Sequence, residues 1–83
     1  MQVTLKLFAS LGKFLPAGSV RNKAAIDVNK GATILSVLDG YNVPRKHCHL
    51  VLVNGVYFAP EDRDKKELSD GDQLAVWPPV AGG

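Results

Sequence analysis

The 83-residue chain carries one cysteine, Cys48, so no intrachain disulfide framework can hold it together. Tryptophan and methionine also occur once each, and aromatic residues make up only 7%. No apolar run is longer than that of Leu50-Val51-Leu52-Val53, whereas a bilayer-spanning helix takes about 20 residues. No membrane partner is expected. Charge of one sign is scarce too: ten Lys/Arg against eight Asp/Glu leave +2. Neutralising several phosphates requires a clustered basic face, so nucleic acid is not expected as a partner. Lys6 and Lys13 interrupt what would have to be the apolar core of a signal peptide. With the lone cysteine, this makes the cytoplasm the expected location.

What is present is an ordinary globular composition, 46% hydrophobic and 22% charged, which argues against disorder. Folding at this size removes roughly 63% of the unfolded chain's surface from water. One domain fits, with few residues left to wall a catalytic pocket. A carrier, binding module or subunit is expected rather than an enzyme.

Val3, Leu5 and Leu7 alternate with Thr4 and Lys6, the period of a half-buried strand. Phe8 breaks the alternation by standing in phase with the polar face. Leu11, Phe14 and Leu15 then predict one helical turn ended by Pro16. A second strand is predicted over Ala24 to Val28. Thr33 is placed to cap a helix whose apolar side is Ile34, Leu35, Val37, Leu38 and Tyr41. Gly40 or Asn42 can end it in a left-handed conformation. The strand Leu50 to Val53 meets Asn54-Gly55, a type I′ hairpin signal, and returns through Val56-Tyr57-Phe58. Pro60 to Lys66 reads as a charged loop with Leu68 packed beneath it. Asp70-Gly71-Asp72 turns into a last strand, Gln73 to Trp77, with Leu74 and Val76 facing one way and Trp77 the other. The expected architecture is a two-layer α+β domain, a sheet with one main helix on one face.

The end of the chain differs in kind. Pro78 and Pro79 cannot donate ladder hydrogen bonds, so the domain is expected to span 1–77 and an extended tail 78–83. Six extended residues reach about 20 Å. Gly82-Gly83 leaves a terminal carboxylate unshielded by side chains, able to enter a channel too narrow for a Cβ atom. A frayed terminus that happens to end in two glycines reads identically by composition.

Other residue types that carry chemistry are weaker signals. His47-Cys48-His49 has metal-ligand types, but adjacent strand residues point to opposite faces and no second cluster completes a tetrahedral site, so no metal is expected. Cys48 reads as a small buried apolar residue. Glu61, Asp62 and Asp64 read as a solvated loop. Arg45, Lys46, Arg63, Lys65 and Lys66 could steer an acidic partner or merely solubilise the surface.

From Asp70-Gly71-Asp72 through Trp77-Pro78-Pro79-Val80-Ala81-Gly82-Gly83, the chain resembles the MoaD/ThiS family of ubiquitin-like sulfur carriers. The opening Val3 to Pro16 and the Val53-Asn54-Gly55 hairpin are similar to that family as well, so the resemblance covers essentially the whole chain. It implies a β-grasp fold with a mixed sheet of about five strands. The aromatic-Pro-Pro ending is most similar to the molybdopterin-synthase small subunits, the MoaD branch. The short stretch Asn42 to His49 is closer to compact ThiS-like carriers.

The resemblance implies a mechanism. An ATP-dependent activating enzyme, MoeB/ThiF-like, would adenylate the Gly83 carboxylate, and sulfur would replace AMP to give a thiocarboxylate. The chain would bind no cofactor itself; ATP would be used by the activating enzyme. Gly82 would provide clearance, and Val80 and Ala81 would line the tail's contacts. Phe8, Tyr57 and Trp77, with Pro78 and Pro79, would form the partner interface. A MoaE-like large subunit would supply the catalytic groups, and the isolated carrier would be a monomer. Sulfur delivery to thiamine thiazole, cysteine or a tungsten-pterin pathway remains open, as does a ubiquitin-like modifier conjugated through Gly83.

Overall fold

The alternation at the N-terminus becomes strand β1, Gln2–Leu7, whose Val3, Leu5 and Leu7 are at most 1% exposed. The computed structural model describes residues 1–79. Strand β2, Lys23–Asp27, runs antiparallel to β1 and sets Ile26 against Val3. Helix α1 is Ile34–Gly40, followed by β3, Leu50–Val53, β4, Val56–Tyr57, and β5, Gln73–Trp77. The sheet order is β2-β1-β5-β3-β4. The last strand thus enters the middle, parallel to β1 and antiparallel to β3.

This register assembles the core. Leu5 lies opposite Leu74, and Leu74 opposite Val53, while Leu7, Val76 and Val51 form the next row. All six are buried. Ile34, Val37 and Leu38 of α1 belong to the same apolar cluster, joined by Leu11, Val43 and Leu68.

The helix is short and its ends are fully capped. Thr33 and Ser36 form a reciprocal capping box: each side chain accepts from the other's backbone N–H, at 3.1 and 2.9 Å. The next two donors, Ile34 and Leu35 N–H, reach the carbonyls of Lys66 and Arg63. At the other end Asn42 N–H bonds Asp39 O and Val43 N–H bonds Leu38 O, a Schellman pattern with Val43 buried behind it. Of the two candidate terminators, Asn42 takes the left-handed conformation, with φ +62°, and Gly40 stays helical.

Two further elements differ from the sequence reading in detail. Ala9–Phe14 is a 3₁₀ helix rather than an α turn. Ala9 at φ +52° starts it and Gly12 interrupts it, so the segment follows the Leu11 contact rather than a regular helical hydrogen-bond ladder. The return strand β4 stops at Tyr57, because Phe58 N–H turns back to Val51 O. The hairpin itself agrees with type I′: Asn54 and Gly55 both have positive φ, +51° and +82°.

Candidate functional site

One sheet face is covered by α1. The other bears Phe8, Trp77, Leu50, Leu52 and Tyr57, together with Lys6, Lys23, Thr4 and Gln73. Their common side follows from the register. Leu50 opposes Trp77, Leu52 opposes both Ala75 and Tyr57, and Lys6 opposes Ala75 and Lys23. Residues directly opposite in a ladder share a face, and those two apart along a strand do as well.

Phe8 and Trp77 meet as parallel stacked rings, with centroids 4.4 Å apart and planes 5° apart. Backbone geometry positions the pair. Phe8 N–H donates to Val76 O, fixing the end of β1 beside the end of β5, and the extended Phe8 backbone then throws its ring onto Trp77. Offset stacks of this kind stabilise by about 0.5–1.5 kcal/mol beyond simple burial. Both rings remain half-buried, and Tyr57 is 53% exposed. Leu50 and Leu52 fill the space between Trp77 and Tyr57. Thus the three aromatic residues singled out in the sequence lie on one face, with Phe8 and Trp77 touching and Tyr57 set apart by the leucines of β3.

The same corner launches the chain's end. Trp77 O accepts from His49 N–H, the last ladder bond of β5. Pro78 is half-buried and Pro79 exposed, both outside regular strand structure. Val80, Ala81, Gly82 and Gly83, assigned above to the tail, lie outside the described residues.

A ThiS family model matches residues 5–83. The chain belongs to the ThiS family. The crystal structure of SAMP1 from Haloferax volcanii superposes with a TM-score of 0.69 at 29% identity, covering 100% of both chains. A crystal structure of H. volcanii small archaeal modifier protein 1 gives 0.68 and 28%, covering 95% of this chain and 98% of that one. A putative molybdopterin converting factor subunit 1 from Pyrococcus furiosus gives 0.65 and 26%, over 95% of this chain and 98% of that one. A comparison with curated proteins yields no significant match. The two-layer domain is therefore a β-grasp, and this ThiS-family chain is a MoaD/ThiS-like, ubiquitin-like carrier.

Arg63 requires a correction. The sequence placed it among surface cations, but it is 4% exposed. Its guanidinium donates to three backbone carbonyls: Phe58 O at 3.1 Å, Cys48 O at 2.7 Å and His49 O at 3.3 Å. The fork geometry of Arg suits it to bridging several acceptors at once. It ties the 60–66 loop to the start of β3, and its own carbonyl caps α1. The loop therefore presents its acidic side chains to solvent while its backbone is built into the domain. Arg45 is also occupied, in a 2.7 Å pair with Asp39 that holds that carboxyl below its ordinary pKa.

Cys48 is buried, its thiol directed to Pro44 O at 3.5 Å, and burial pushes its pKa up. A raised thiol pKa opposes nucleophilic use. His47 and His49 are exposed on either side of it. Among the described residues no three His, Cys, Asp or Glu side chains assemble as a metal cage, and no helix is long and apolar enough to cross a membrane.

Sequence reasoning missed Leu50 and Leu52 as members of the open face. In an unbroken Leu-Val-Leu-Val run the two faces carry the same kind of residue, so periodicity is silent. The phase is set by pairing with β5.

Proposed function

We propose that this chain is a sulfur carrier whose Gly83 carboxylate is adenylated and converted to a thiocarboxylate. The observation that carries the reading is the continuity of the family match through Gly83, after a β5 that ends at the stacked Phe8–Trp77 pair. In this reading the open face docks and the tail reacts. A partner that buries the aromatic pair and the β3 leucines gains the contacts that dominate interfaces, while Pro78-Pro79 limits the freedom lost on threading the tail.

The chemistry is an acyl transfer in two stages. A Gly83 carboxylate oxygen attacks the α-phosphorus of ATP, and pyrophosphate leaves. The terminal sulfur of a persulfide then attacks the acyl carbon, expelling AMP, and a second thiol cleaves the S–S bond to leave the thiocarboxylate. The chain contributes the acyl group and the docking surface; the activating enzyme contributes the catalytic groups. Molybdopterin formation is the favoured destination, with a MoaE-like large subunit as recipient. Its support is the aromatic-Pro-Pro ending and the likeness to a molybdopterin converting factor subunit. The cytoplasm is the compartment in which this chemistry is placed.

A second reading is conjugation of Gly83 to lysines of other proteins, favoured by the likeness to small archaeal modifier protein 1. Both readings share the adenylate, so one experiment separates them. The full chain is incubated with ATP, a persulfide donor and the activating enzyme, and its intact mass is measured. Exchange of one oxygen for sulfur at the C-terminus is expected, and the chain lacking Gly83 should not be activated. Undiminished activation of that truncation rejects the carrier reading. Isopeptide-linked Gly83 on cellular proteins selects the modifier.

A further inference from the structure

The open face has a second half that the aromatic reading does not use. Lys6 and Lys23 are directly opposed across β1 and β2, on the side away from α1. Like charges directly opposite one another destabilise a sheet. The turn before β2 adds a third cation. Val20 and Lys23 exchange two backbone hydrogen bonds, at 3.0 and 3.2 Å, and between them Arg21 takes φ +59°. A non-glycine residue in that region is uncommon and strained. Lys6, Arg21 and Lys23 line a shallow depression of about 250 Å³ together with Asn22 and Phe8, so the basic group and the stacked aromatic pair are contiguous.

These cations lack carboxylate partners among the described residues, where the one ion pair is Arg45–Asp39. Lys6 Nζ instead donates to the neutral Gln73 Oε1 at 2.7 Å. Asp27, the acidic residue on the same face of β2, is four positions from Lys23, about 13 Å along a strand, and accepts from Gln2 Nε2. The domain carries an opposed pair of lysines and a strained arginine with nothing of its own to offset them.

We propose that the Lys6–Arg21–Lys23 depression is the docking subsite for acidic side chains of the activating enzyme. The inference rests on the carrier reading and adds to it a charge requirement: the enzyme's carrier-binding surface combines an apolar patch facing Phe8 and Trp77 with carboxylates facing the β1–β2 end. The carboxylates relieve the lysine repulsion, so a basic cluster that is unfavourable in the free chain becomes complementary in the complex. Conversely, it repels basic surfaces, which helps exclude wrong partners. This places the steering charge on residues other than Arg45 and Arg63, both occupied within the domain.

The test measures steady-state adenylation of the full chain by the activating enzyme of the same organism. Wild type, Arg21→Glu/Lys23→Glu and a control pair, Lys30→Glu/Lys46→Glu, carry matched charge changes on and off the face. At about 0.1 M salt the on-face pair should raise KM for the carrier roughly tenfold, narrowing to under about threefold near 0.5 M salt, with kcat retained. The control should stay within about twofold. Arg21→Gln/Lys23→Gln should fall between, and thermal melts of every variant should show a folded domain. An on-face effect no larger than the control, or one equally large at both salts, overturns the acidic docking subsite while leaving the carrier reading intact. A wild-type chain that forms no adenylate overturns both.

Discussion

The two faces of one sheet have been given opposite tasks. Toward α1, Val3, Leu5, Leu7, Ile26, Val51, Val53, Leu74 and Val76 are buried to within 4% of complete. On the other side the same strands carry Phe8, Leu50, Leu52, Tyr57 and Trp77 without a covering layer, beside a group of cations. A central strand such as β5 shows both roles along its length: Leu74 and Val76 are fully buried, while Trp77 remains half-exposed. The contrast shows that apolar content alone does not locate a core. Stability comes from the face that has a helix over it, and the uncovered face retains apolar area that only a partner can remove from water.

Substitutions matched across the two faces test this division. Leu5→Ala, on the covered face, should cost about 3 kcal/mol in urea unfolding, since it leaves a cavity in a close-packed cluster. Leu52→Ala, on the open face, should cost no more than about 1 kcal/mol. Equal losses would mean that the open face is as much a part of the core as the covered one.

Next in size is Arg63→Ala, which leaves the carbonyls of Phe58, Cys48 and His49 without their donor. The expected loss is about 2 kcal/mol, and Arg63→Lys should recover little of it, because an ammonium cannot reproduce the planar fork. Unfolding midpoints that match wild type would reject Arg63 as a structural tie.

For Trp77→Ala the ordering should reverse. Stability should fall by about 1 kcal/mol from loss of the stack, while affinity for a large-subunit partner falls at least about tenfold. Calorimetric titration reads the second quantity, and unchanged affinity removes Trp77 from the docking face.

The smallest effect concerns the turn into β5. Asp72 accepts from Ser69 N–H at 2.7 Å and from Asn54 Nδ2 at 2.9 Å. The Ser69 backbone bond is the main cause holding its carboxyl below the ordinary value. A depressed folded pKa contributes stability that is present above the ordinary carboxylate value, about 3.9. That contribution is lost as pH falls through the folded value. Urea midpoints should therefore drop modestly between about pH 5 and 2, and Asp72→Asn should flatten part of the drop. An identical slope in the variant would show that other carboxylates account for it. The mostly exposed position of Asp72 keeps this term small.

Much of the fold was legible because local physics decided it. The Val3-Leu5-Leu7 alternation, the Thr33 cap and the Asn54-Gly55 turn each act within a few residues, and each appears in the structure as read. Phe8 and Trp77 were legible as phase breaks, since a side chain out of step with its strand must leave the core face. Arg63 was not legible: its partners lie up to 15 positions back along the chain, and a run of charged residues resembles a solvated loop until its backbone is placed. Lys6 and Lys23 were likewise unremarked, because neither is unusual alone and only their register opposes them.

The sequence by itself determined the family, the local elements and the chemical character of the chain's end, all of which depend on residues close together or on a motif read in order. The tertiary structure decided which apolar residues are core and which are surface, and which cations are free. Those outcomes follow from β5 inserting between β1 and β3, a pairing of segments about seventy positions apart for β1, which aligns Leu74 with Leu5 and Val53 on one side and Ala75 with Lys6 and Leu52 on the other. Shifting that register by one residue would exchange the two faces. Both the buried core and the open docking surface are consequences of that single long-range alignment.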